Sequence, residues 1–577
     1  MKRLVIVITG IILFSMFSTS AQAQNIPTGQ DVGSTGSEIE KEKRDKEIKE
    51  KLIKGRDEAE IKEKVDIMPE KPEALREPGE KILIEKIVVE GVTAIRPVRI
   101  RDIVEPFEGK ELSMEDFREI SDLITDEYRI RGYVTSVAYP PPQKIIDKTL
   151  LINVSEGKVG NITLEGNKYF KKKVLLRYLT LNKDDVFNYD TLRTNMNDLN
   201  AHPDRNAKAL LSRGEESGRT DIGIEVKDKT PIHATLGYDN YGSRYLDRNR
   251  YLAELKSTNL LGFDDIGSVE VQLGESGRYQ LYSARYLAPI VPKWKAGAYY
   301  IHVDQELGKE VASLDIKGKG DIIATYLSYK AIDRENLSLS INPGFEYKDI
   351  ENKILGTIVG EDNIRILKVG LDLDFIDTLQ GRTLLTQELD LGIEDIMGGL
   401  DYKDPKASRL SSGGRFFRTV TNLARIQSLP NDMSFMLRGA MQLTGYSLVS
   451  AEQFNIGGIN TVRGYPKSEH AGDRGGTISA EIYIPPYFIS KEKKMPYTET
   501  TYFDAIRFVG FFDYGYVENK NPQVGEIKDK DLYSIGPALR FNIPGRAEVN
   551  FDYGFGLAGE GSNGSSSRYY IETKIYF

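Results

Sequence analysis

The residues best suited to a specific interaction lie in the string Phe454-Asn-Ile-Gly-Gly-Ile-Asn-Thr-Val-Arg-Gly-Tyr465. Its paired glycines, Gly457 and Gly458, permit backbone conformations that other residues avoid. Gly464 permits a second sharp bend directly after a long cation, Arg463. The string therefore predicts a shaped loop that presents one guanidinium group at a fixed place.

A carboxylate that could receive this cation lies in Gly510-Phe-Phe-Asp-Tyr-Gly515, an aromatic strand pattern whose one acid is Asp513. An arginine inside a protein wall needs a carboxylate, because an unpaired buried charge is costly and a bidentate pair fixes the geometry. The alternative is an ordinary hairpin loop whose arginine faces water. A second Arg-Gly-Tyr, at residues 131–133, fits the end of a helix and shows that the tripeptide alone is weak evidence.

The sequence gives little support to catalysis, and we predict no catalytic residue, no metal site and no cofactor. The chain has no cysteine, which excludes thiol catalysis, disulfides and the common structural zinc sites. Its four histidines share no ligand spacing, and no nucleophile elbow or phosphate-binding Gly-Lys loop is present. Asp372 and Asp374 fit the lining of a pore better than a glycosidase pair. The net charge of -8 argues against a nucleic-acid partner.

Residues 81–231 contain the same α/β sequence pattern twice. Each copy opens with a strand that ends in Glu-Gly, continues into an amphipathic helix and closes with an alternating strand. The paired strand segments are Ile87-Val-Val-Glu-Gly91 with Ile162-Thr-Leu-Glu-Gly166, and Leu150-Leu-Ile-Asn-Val154 with Thr220-Asp-Ile-Gly-Ile-Glu-Val226. A repeat of about 75 residues indicates a duplicated domain, with copies at 81–156 and 157–231.

From residue 232 to the end, apolar and polar residues alternate in many short segments, such as Val269, Val271 and Leu273 between polar neighbours. A soluble sandwich would also alternate, so the prediction of a membrane barrel depends on the secretory signal described below, the number of segments and the ending. The region has 346 residues (577 − 231 = 346). At about 22 residues per strand and turn, it predicts a transmembrane antiparallel β-barrel of about sixteen strands. The final strand places five residues on one face: Tyr569, Ile571, Thr573, Ile575 and Phe577.

The first residues predict export from the cytoplasm. Lys2 and Arg3 precede an apolar run, and Ala21-Gln22-Ala23 offers a cleavage site, so residues 1–23 read as a signal peptide. The run is short for a membrane anchor, which is the alternative. Residues 24–80 form a charged segment and a proline-containing linker, which we interpret as a disordered or free helical spacer.

The loop string, the Asp513 strand and the Asn200 to Arg205 string resemble the two-partner secretion transporters, the ShlB/FhaC/HecB hemolysin secretion/activation family. That family belongs to the outer-membrane assembly-factor superfamily, in which periplasmic POTRA domains precede a barrel. The resemblance implies two POTRA domains, at 81–156 and 157–231, and a barrel at 232–577. Because an N-terminal helix plugs the barrel in that family, the resemblance also offers a plug helix as an alternative role for the charged segment at 24–80. It also implies that the loop near 454–466 folds into the lumen through Gly457, Gly458, Val462, Arg463, Gly464 and Tyr465, and that Arg463 pairs with Asp513. The aromatic end, with Tyr569, Ile571, Ile575 and Phe577, resembles the signal by which outer-membrane barrels are recognised for insertion.

The resemblance further implies a pore in the outer membrane of a Gram-negative-type bacterium. Its expected partner is a large secreted exoprotein of the hemolysin or adhesin type, exported without ATP and bound by the POTRA domains and the lumen. Outer-membrane lipid and the barrel assembly machinery are further expected partners. The alternatives are an assembly or insertion factor of the same superfamily and a passive porin.

Overall fold

A computed structural model describes residues 81–334 and 336–577 of the chain. The predicted signal peptide and the charged segment at 24–80 lie outside the described residues. Within the described ranges, no helix has both the length and the apolar composition required to cross a membrane.

The first α/β unit has a small sheet covered by one long helix. Its elements are β1 (Ile82–Ile84), β2 (Lys86–Glu90), α1 (Pro97–Val104), β3 (Lys110–Leu112), α2 (Met114–Ile130), β4 (Val137–Tyr139) and β5 (Thr149–Ser155). The sheet order is β2-β5-β4, with β2 parallel to β5. Ser113 and Asp116 form a capping box at the start of α2, and Phe117, Ile120 and Ile124 are buried against the sheet.

The second unit repeats this arrangement. Its elements are β6 (Lys158–Glu165), α3 (Lys172–Leu175), α4 (Tyr189–Asn200), β7 (Arg205–Arg213) and β8 (Arg219–Asp228). The sheet order is β6-β8-β7, and β6 runs parallel to β8 as β2 does to β5. Asn188 caps α4, whose Leu192 and Leu199 are buried. In both sheets the last strand of the unit lies in the middle, between the first strand of the sheet and the strand that precedes it in a hairpin. This shared order confirms two small α/β domains in series.

The two units meet where α2 ends. Gly132 follows this helix with φ +83°, and its carbonyl accepts a hydrogen bond of 2.8 Å from the backbone N–H of Tyr189. The Asn188 side chain donates to the carbonyl of Arg131 at 2.8 Å. The Arg-Gly-Tyr at residues 131–133 is therefore a helix end, as predicted, and it joins the two units.

The remainder of the described chain closes into a barrel. Its elements are β9 (Ile232–Asp239), β10 (Arg250–Ser257), β11 (Ile266–Gly274), β12 (Tyr279–Val291), β13 (Trp294–Glu306), β14 (Lys317–Arg334), β15 (Leu337–Ile354), β16 (Thr357–Glu361), β17 (Ile364–Ile376), β18 (Arg382–Gly392), β19 (Phe416–Ser428), β20 (Ser434–Thr444), β21 (Phe454–Ile456), β22 (His470–Gly472), β23 (Arg474–Ile484), α5 (Tyr502–Ala505), β24 (Ile506–Glu518), β25 (Asp529–Ile543), β26 (Ala547–Gly556) and β27 (Ser567–Tyr576). Strand β16 extends the hairpin beyond β15, and β21 pairs only with β22.

The other sixteen described strands of this region form the wall, in agreement with the predicted number. Each pairs antiparallel with its neighbour, and β27 pairs with β9 from Glu572↔Asp239 to Tyr576↔Thr235 to close the ring. Along β24 the odd-numbered residues from Arg507 to Val517 are buried, while Phe508, Phe512 and Tyr514 on the other face are exposed. Alternation thus separates a lumen face from an apolar outer face.

The connection from β8 into β9 places the second α/β unit at one end of the barrel. Successive turns alternate between the two ends, so the β10–β11 turn lies beside this unit. The β18–β19, β20–β23 and β24–β25 loops lie at the opposite, far end.

Candidate functional site

The loop from residue 445 to 473 leaves the far end after β20 and folds back into the barrel. Strands β21 and β22 pair from Phe454↔Gly472 to Ile456↔His470, so the first three residues of the predicted loop string form a short strand. Gly457 and Gly458 have φ +104° and +100°. A Cβ atom on Gly457 would lie 2.5 Å from the Pro466 carbonyl oxygen, so the loop doubles back on itself where only glycine fits.

The structure brings Arg463 and Asp513 together inside the barrel. Nε and Nη2 of Arg463 each donate to one Asp513 oxygen at 2.7 Å, and the Arg463 backbone N–H donates to Oδ2 at 3.1 Å. Arg463 is 1 % exposed and Asp513 is fully buried. A bidentate pair with a third main-chain bond fixes both the position and the orientation of the loop.

Two further acids from the wall complete the site. Nη1 of Arg463 lies 3.0 Å from Asp552 on β26, and Nη2 lies 2.9 Å from Glu481 on β23. Ser479 accepts a hydrogen bond from Nη2 and donates to Asp513 at 2.8 Å. The guanidinium carbon also lies 3.4 Å from the ring centroid of Phe511. Five wall residues on three strands therefore hold one side chain.

The charges of this site balance only when the loop is present. Arg438 on β20 lies 3.2 Å from Glu481, and Arg540 on β25 lies 2.7 Å from Asp552. These two wall cations face three wall carboxylates, so Arg463 supplies the third positive charge. Departure of the loop would leave one net negative charge in a low-dielectric part of the lumen.

Gly464 and Tyr465, the next two loop residues, pack closely against strand β26. Gly464 has φ +93°, and a Cβ atom on it would lie 2.8 Å from the backbone N of Gly556. A Cβ atom on Gly554 would lie 2.4 Å from the backbone N of Gly464, and one on Gly556 would lie 2.5 Å from the Tyr465 ring. Tyr570 donates to the Tyr465 carbonyl at 2.9 Å. Glycines on both surfaces permit this close approach.

Val462 holds the loop against the barrel wall through apolar contacts. It is buried with Phe454, Ile456, Val517 and Leu532. A Cβ atom on Gly515 would lie 2.7 Å from Cγ2 of Val462, so the glycine that ends the Asp513 segment makes room for this side chain. Each member of the Val-Arg-Gly-Tyr segment therefore contacts the wall in its own way.

A second anchor holds the start of the loop on another side of the wall. Glu452 is fully buried, and its carboxylate lies 2.7 Å from Lys348 on β15 and 2.5 Å from Arg418 on β19. Lys348 also pairs with Glu346, and Arg418 with Asp390, each at 2.8 Å. The strands that hold Glu452 and those that hold Arg463 lie on different parts of the ring, so the loop crosses the lumen.

Five residues that hold the loop were not predicted from the sequence: Glu452, Glu481, Asp552, Gly554 and Gly556. The two glycines had a signal, because they stand two residues apart on the lumen face of a strand that also carries Asp552. The acids had none, because their roles depend on which strands become neighbours and in what register.

The predicted C-terminal residues lie on the outer face of β27. Tyr569, Ile575 and Phe577 are exposed and Ile571 is half-buried, while Tyr570 points into the lumen and contacts the loop. The backbone N–H of Phe577 donates to Ala234 at 2.9 Å, so the last residue takes part in closing the ring.

The second α/β unit is fixed to the barrel by a buried ion pair. Arg205 donates to both oxygens of Asp264, in the β10–β11 turn, at 2.6 and 3.0 Å. Tyr178 also donates to Asp264, and burial raises the pKa of this tyrosine to about 12. His202 contacts the Thr258 carbonyl at 3.0 Å, and burial lowers its pKa. The Asn200 to Arg205 string therefore positions the unit at the entrance.

In the described part of the chain, no group of three or more His, Asp or Glu residues is arranged to hold a metal ion. The described site consists of ion pairs and hydrogen bonds that hold a loop across a lumen.

Two α/β units before a closed barrel, with a loop held inside it, define a transport protein of the outer membrane with periplasmic domains. Models of the POTRA domain of ShlB type and of the surface antigen variable number repeat match residues 82–157 and 158–206. The model of the haemolysin secretion/activation protein ShlB/FhaC/HecB matches residues 218–539, more than half of the chain. The chain belongs to this family, which confirms the resemblance.

Individual relatives agree with this assignment. The chain is 26% identical over 464 residues to the heme/hemopexin transporter protein HuxB of Haemophilus influenzae strain 86-028NP, covering 78% of each chain. It is 22% identical over 414 residues to the outer membrane transporter CdiB of Escherichia coli O6:K15:H31, covering 70% of this chain and 69% of the relative. The solved structure of CdiB from Escherichia coli shares the fold, with a TM-score of 0.76, 19% identity and coverage of 96% and 100%.

The chain is therefore an outer-membrane two-partner secretion transporter, whose cargo is a secreted partner protein. Its two POTRA domains lie in the periplasm. The far end of the barrel accordingly faces the cell exterior.

Proposed function

We propose that the loop from 445 to 473 is a two-state element of the export pore and that Arg463 and Asp513 define its docked state. The observation that carries the proposal is the buried guanidinium with carboxylates from three wall strands. A ligand shifts such an equilibrium only by binding one state better than the other. The docked loop crosses the lumen and occupies space that passing cargo needs, so cargo favours the undocked state.

The POTRA domains are proposed to capture the N-terminal region of the cargo while it is extended. Strands β6 and β7 are the edges of the second sheet, and β7 exposes Leu210 and Leu211. An edge strand offers unpaired main-chain groups, which bind an extended peptide without demanding one sequence. The functional units are accordingly taken as 81–156 and 157–231 for capture and 232–577 for passage.

Direction is proposed to come from folding of the cargo outside the cell, with no ATP. The relatives HuxB and HpmB of Proteus mirabilis are named as heme/hemopexin and hemolysin transporters. These names support a cargo of the hemolysin or adhesin type. Outer-membrane lipid and the barrel assembly machinery are the proposed partners of the outer face of β27, through Tyr569, Ile571, Ile575 and Phe577.

The test measures secreted partner protein in the medium for Arg463→Ala and Asp513→Ala. Both variants are expected to secrete less, because export needs a loop that returns to one docked position. The amount of folded barrel in the outer membrane should not change. Arg382→Ala is the matched control, since it removes another bidentate arginine–aspartate pair, with Asp374 at 2.8 Å, between two wall strands.

Normal secretion by both site variants would refute the assigned role. Deletion of residues 81–231 separates the transporter from a passive porin, because export should stop while the barrel still conducts ions. Unchanged export by this deletion would refute the proposed capture step.

A further inference from the structure

Several loops at the exterior end of the barrel pack on one another. An apolar cluster joins residues from four loops: Tyr245 and Leu246 of β9–β10, Leu307 and Val311 of β13–β14, Leu400 and Ala407 of β18–β19, and Leu448, Val449 and Ala451 of β20–β23. The same cluster includes lumen-facing wall residues such as Ile301 and Phe416. Apolar side chains from four exterior loops therefore pack against apolar side chains of the wall, a contact that removes them from water.

One buried arginine connects the loops around this cluster. Arg409 of the β18–β19 loop is 4 % exposed. Its Nε and Nη2 donate to the two oxygens of Glu526, in the β24–β25 loop, at 2.7 and 2.8 Å. Its Nη1 donates to Asp473 at 2.7 Å and to the Leu448 carbonyl at 2.5 Å, and Nη2 also donates to Asn519 at 3.2 Å.

These contacts bring together both ends of the loop from 445 to 473, which we call the lumen loop. Leu448 lies near the start of the loop and Asp473 at its end, and the Asp473 carboxylate also accepts the backbone N–H of Leu448 at 2.9 Å. Its other oxygen accepts the N–H of Lys520 at 2.8 Å. Three loops that are separate in sequence thus meet at a single guanidinium group, and we name Arg409, Leu448, Asp473, Asn519 and Glu526 the Arg409 clamp.

We propose that the Arg409 clamp holds the exterior mouth closed and that cargo leaves only after the clamp opens. Arg409 is thus a positioning residue for export, distinct from Arg463, which holds the other part of the loop deeper in the lumen. In an opened clamp the fully buried Asp473 and the half-buried Glu526 would lose their shared cation, and this cost favours the closed clamp. The inference rests on the proposed export function only where cargo is measured.

The first experiment needs no cargo. Single-channel recording of the purified full-length barrel in a planar bilayer compares Arg409→Ala with the natural protein and with Arg415→Ala. Arg415 is the matched control, because it belongs to the same loop but lies exposed beside Glu394 at 3.4 Å. Loss of a buried ion pair predicts a rise of about 100-fold in open probability, or saturation, for Arg409→Ala alone. Glu526→Gln, a milder change in the same clamp, should raise it to a smaller extent.

The second experiment closes the mouth covalently. The hydroxyls of Ser408 and Ser450 lie 3.1 Å apart, between the β18–β19 loop and the lumen loop. Because the chain has no cysteine, Ser408→Cys with Ser450→Cys introduces one defined, near-isosteric disulfide. Oxidised barrels should stop exporting the partner protein, and reductant should restore export to the level of the two single variants.

Two results would overturn the proposal. One is an open probability of Arg409→Ala and Glu526→Gln equal to that of Arg415→Ala. The other is undiminished export by barrels in which mass analysis shows the disulfide to be formed. Arg463→Ala can also reduce export while Arg409→Ala does not raise the open probability and the disulfide does not stop export. That combination would support the two-state lumen loop and show that the clamp has no role in export.

Discussion

Undocking of the lumen loop can be measured directly through Arg463→Ala. Among the described residues, this change leaves Asp513 with the Ser479 hydroxyl and the loop N–H as donors but no cation. Glu481 keeps Arg438 and Asp552 keeps Arg540, so one buried acid bears most of the loss. Breaking a buried pair by removing one partner costs about 3–5 kcal/mol. At about 1.4 kcal/mol per factor of ten, the undocked fraction should rise by about 10² to 10⁴.

The assay uses a cysteine as a reporter of docking. Val462 is fully buried against the wall, so Val462→Cys in this cysteine-free chain should react with a hydrophilic maleimide only when the loop leaves. When opening and closing are faster than labelling, the labelling rate follows the undocked population. Arg463→Ala should therefore raise the rate by about 100-fold or more, while Arg382→Ala should leave it unchanged. A rise below about tenfold would refute the assignment of the ion pair as the main anchor.

Two further predictions concern close packing and domain docking. Gly556→Ala places a Cβ atom 2.5 Å from the Tyr465 ring and should displace the loop, raising maleimide labelling in an assembled barrel, whereas Gly510→Ala, whose nearest neighbour is 3.6 Å away, should not. Arg205→Ala leaves a buried carboxylate at the POTRA–barrel junction and should broaden spin-label distances between the second POTRA domain and the barrel. Arg219→Ala, at an exposed pair in the same domain, is the control, and equal widths for both variants would count against a rigid junction.

Much of the architecture follows from local pattern. Alternation from residue 232 onward reflects a wall with water on one side and lipid on the other, and the length of the region sets the number of strands. The duplicated α/β unit is visible because each copy repeats the same strand endings and helix signals. Asp513 stood out because one acid in an aromatic strand needs a partner.

The rest of the site depends on distances that no local pattern contains. Asp552 and Glu481 reach Arg463 because β23, β24 and β26 are held at fixed registers around the ring, and a shift of one residue would turn either acid to the lipid face. Arg205 stood in the Asn200 to Arg205 string noted in the sequence, and Asp264 lies in the β10–β11 turn. Their pairing follows only from how the second POTRA domain lies against the barrel.

The same dependence on register links assembly of the wall to docking of the loop. Ser479 lies directly opposite Asp513, and Glu481 opposite Phe511, in the pairing of β23 with β24. All four contact Arg463, so the guanidinium is bound fully only when these strands are correctly paired. Asp552 adds the requirement that β26 follow β25 at its observed position. A docked loop therefore requires a completed wall on this side of the barrel, whereas the wall itself is held by its own strand pairing and does not require the docked loop.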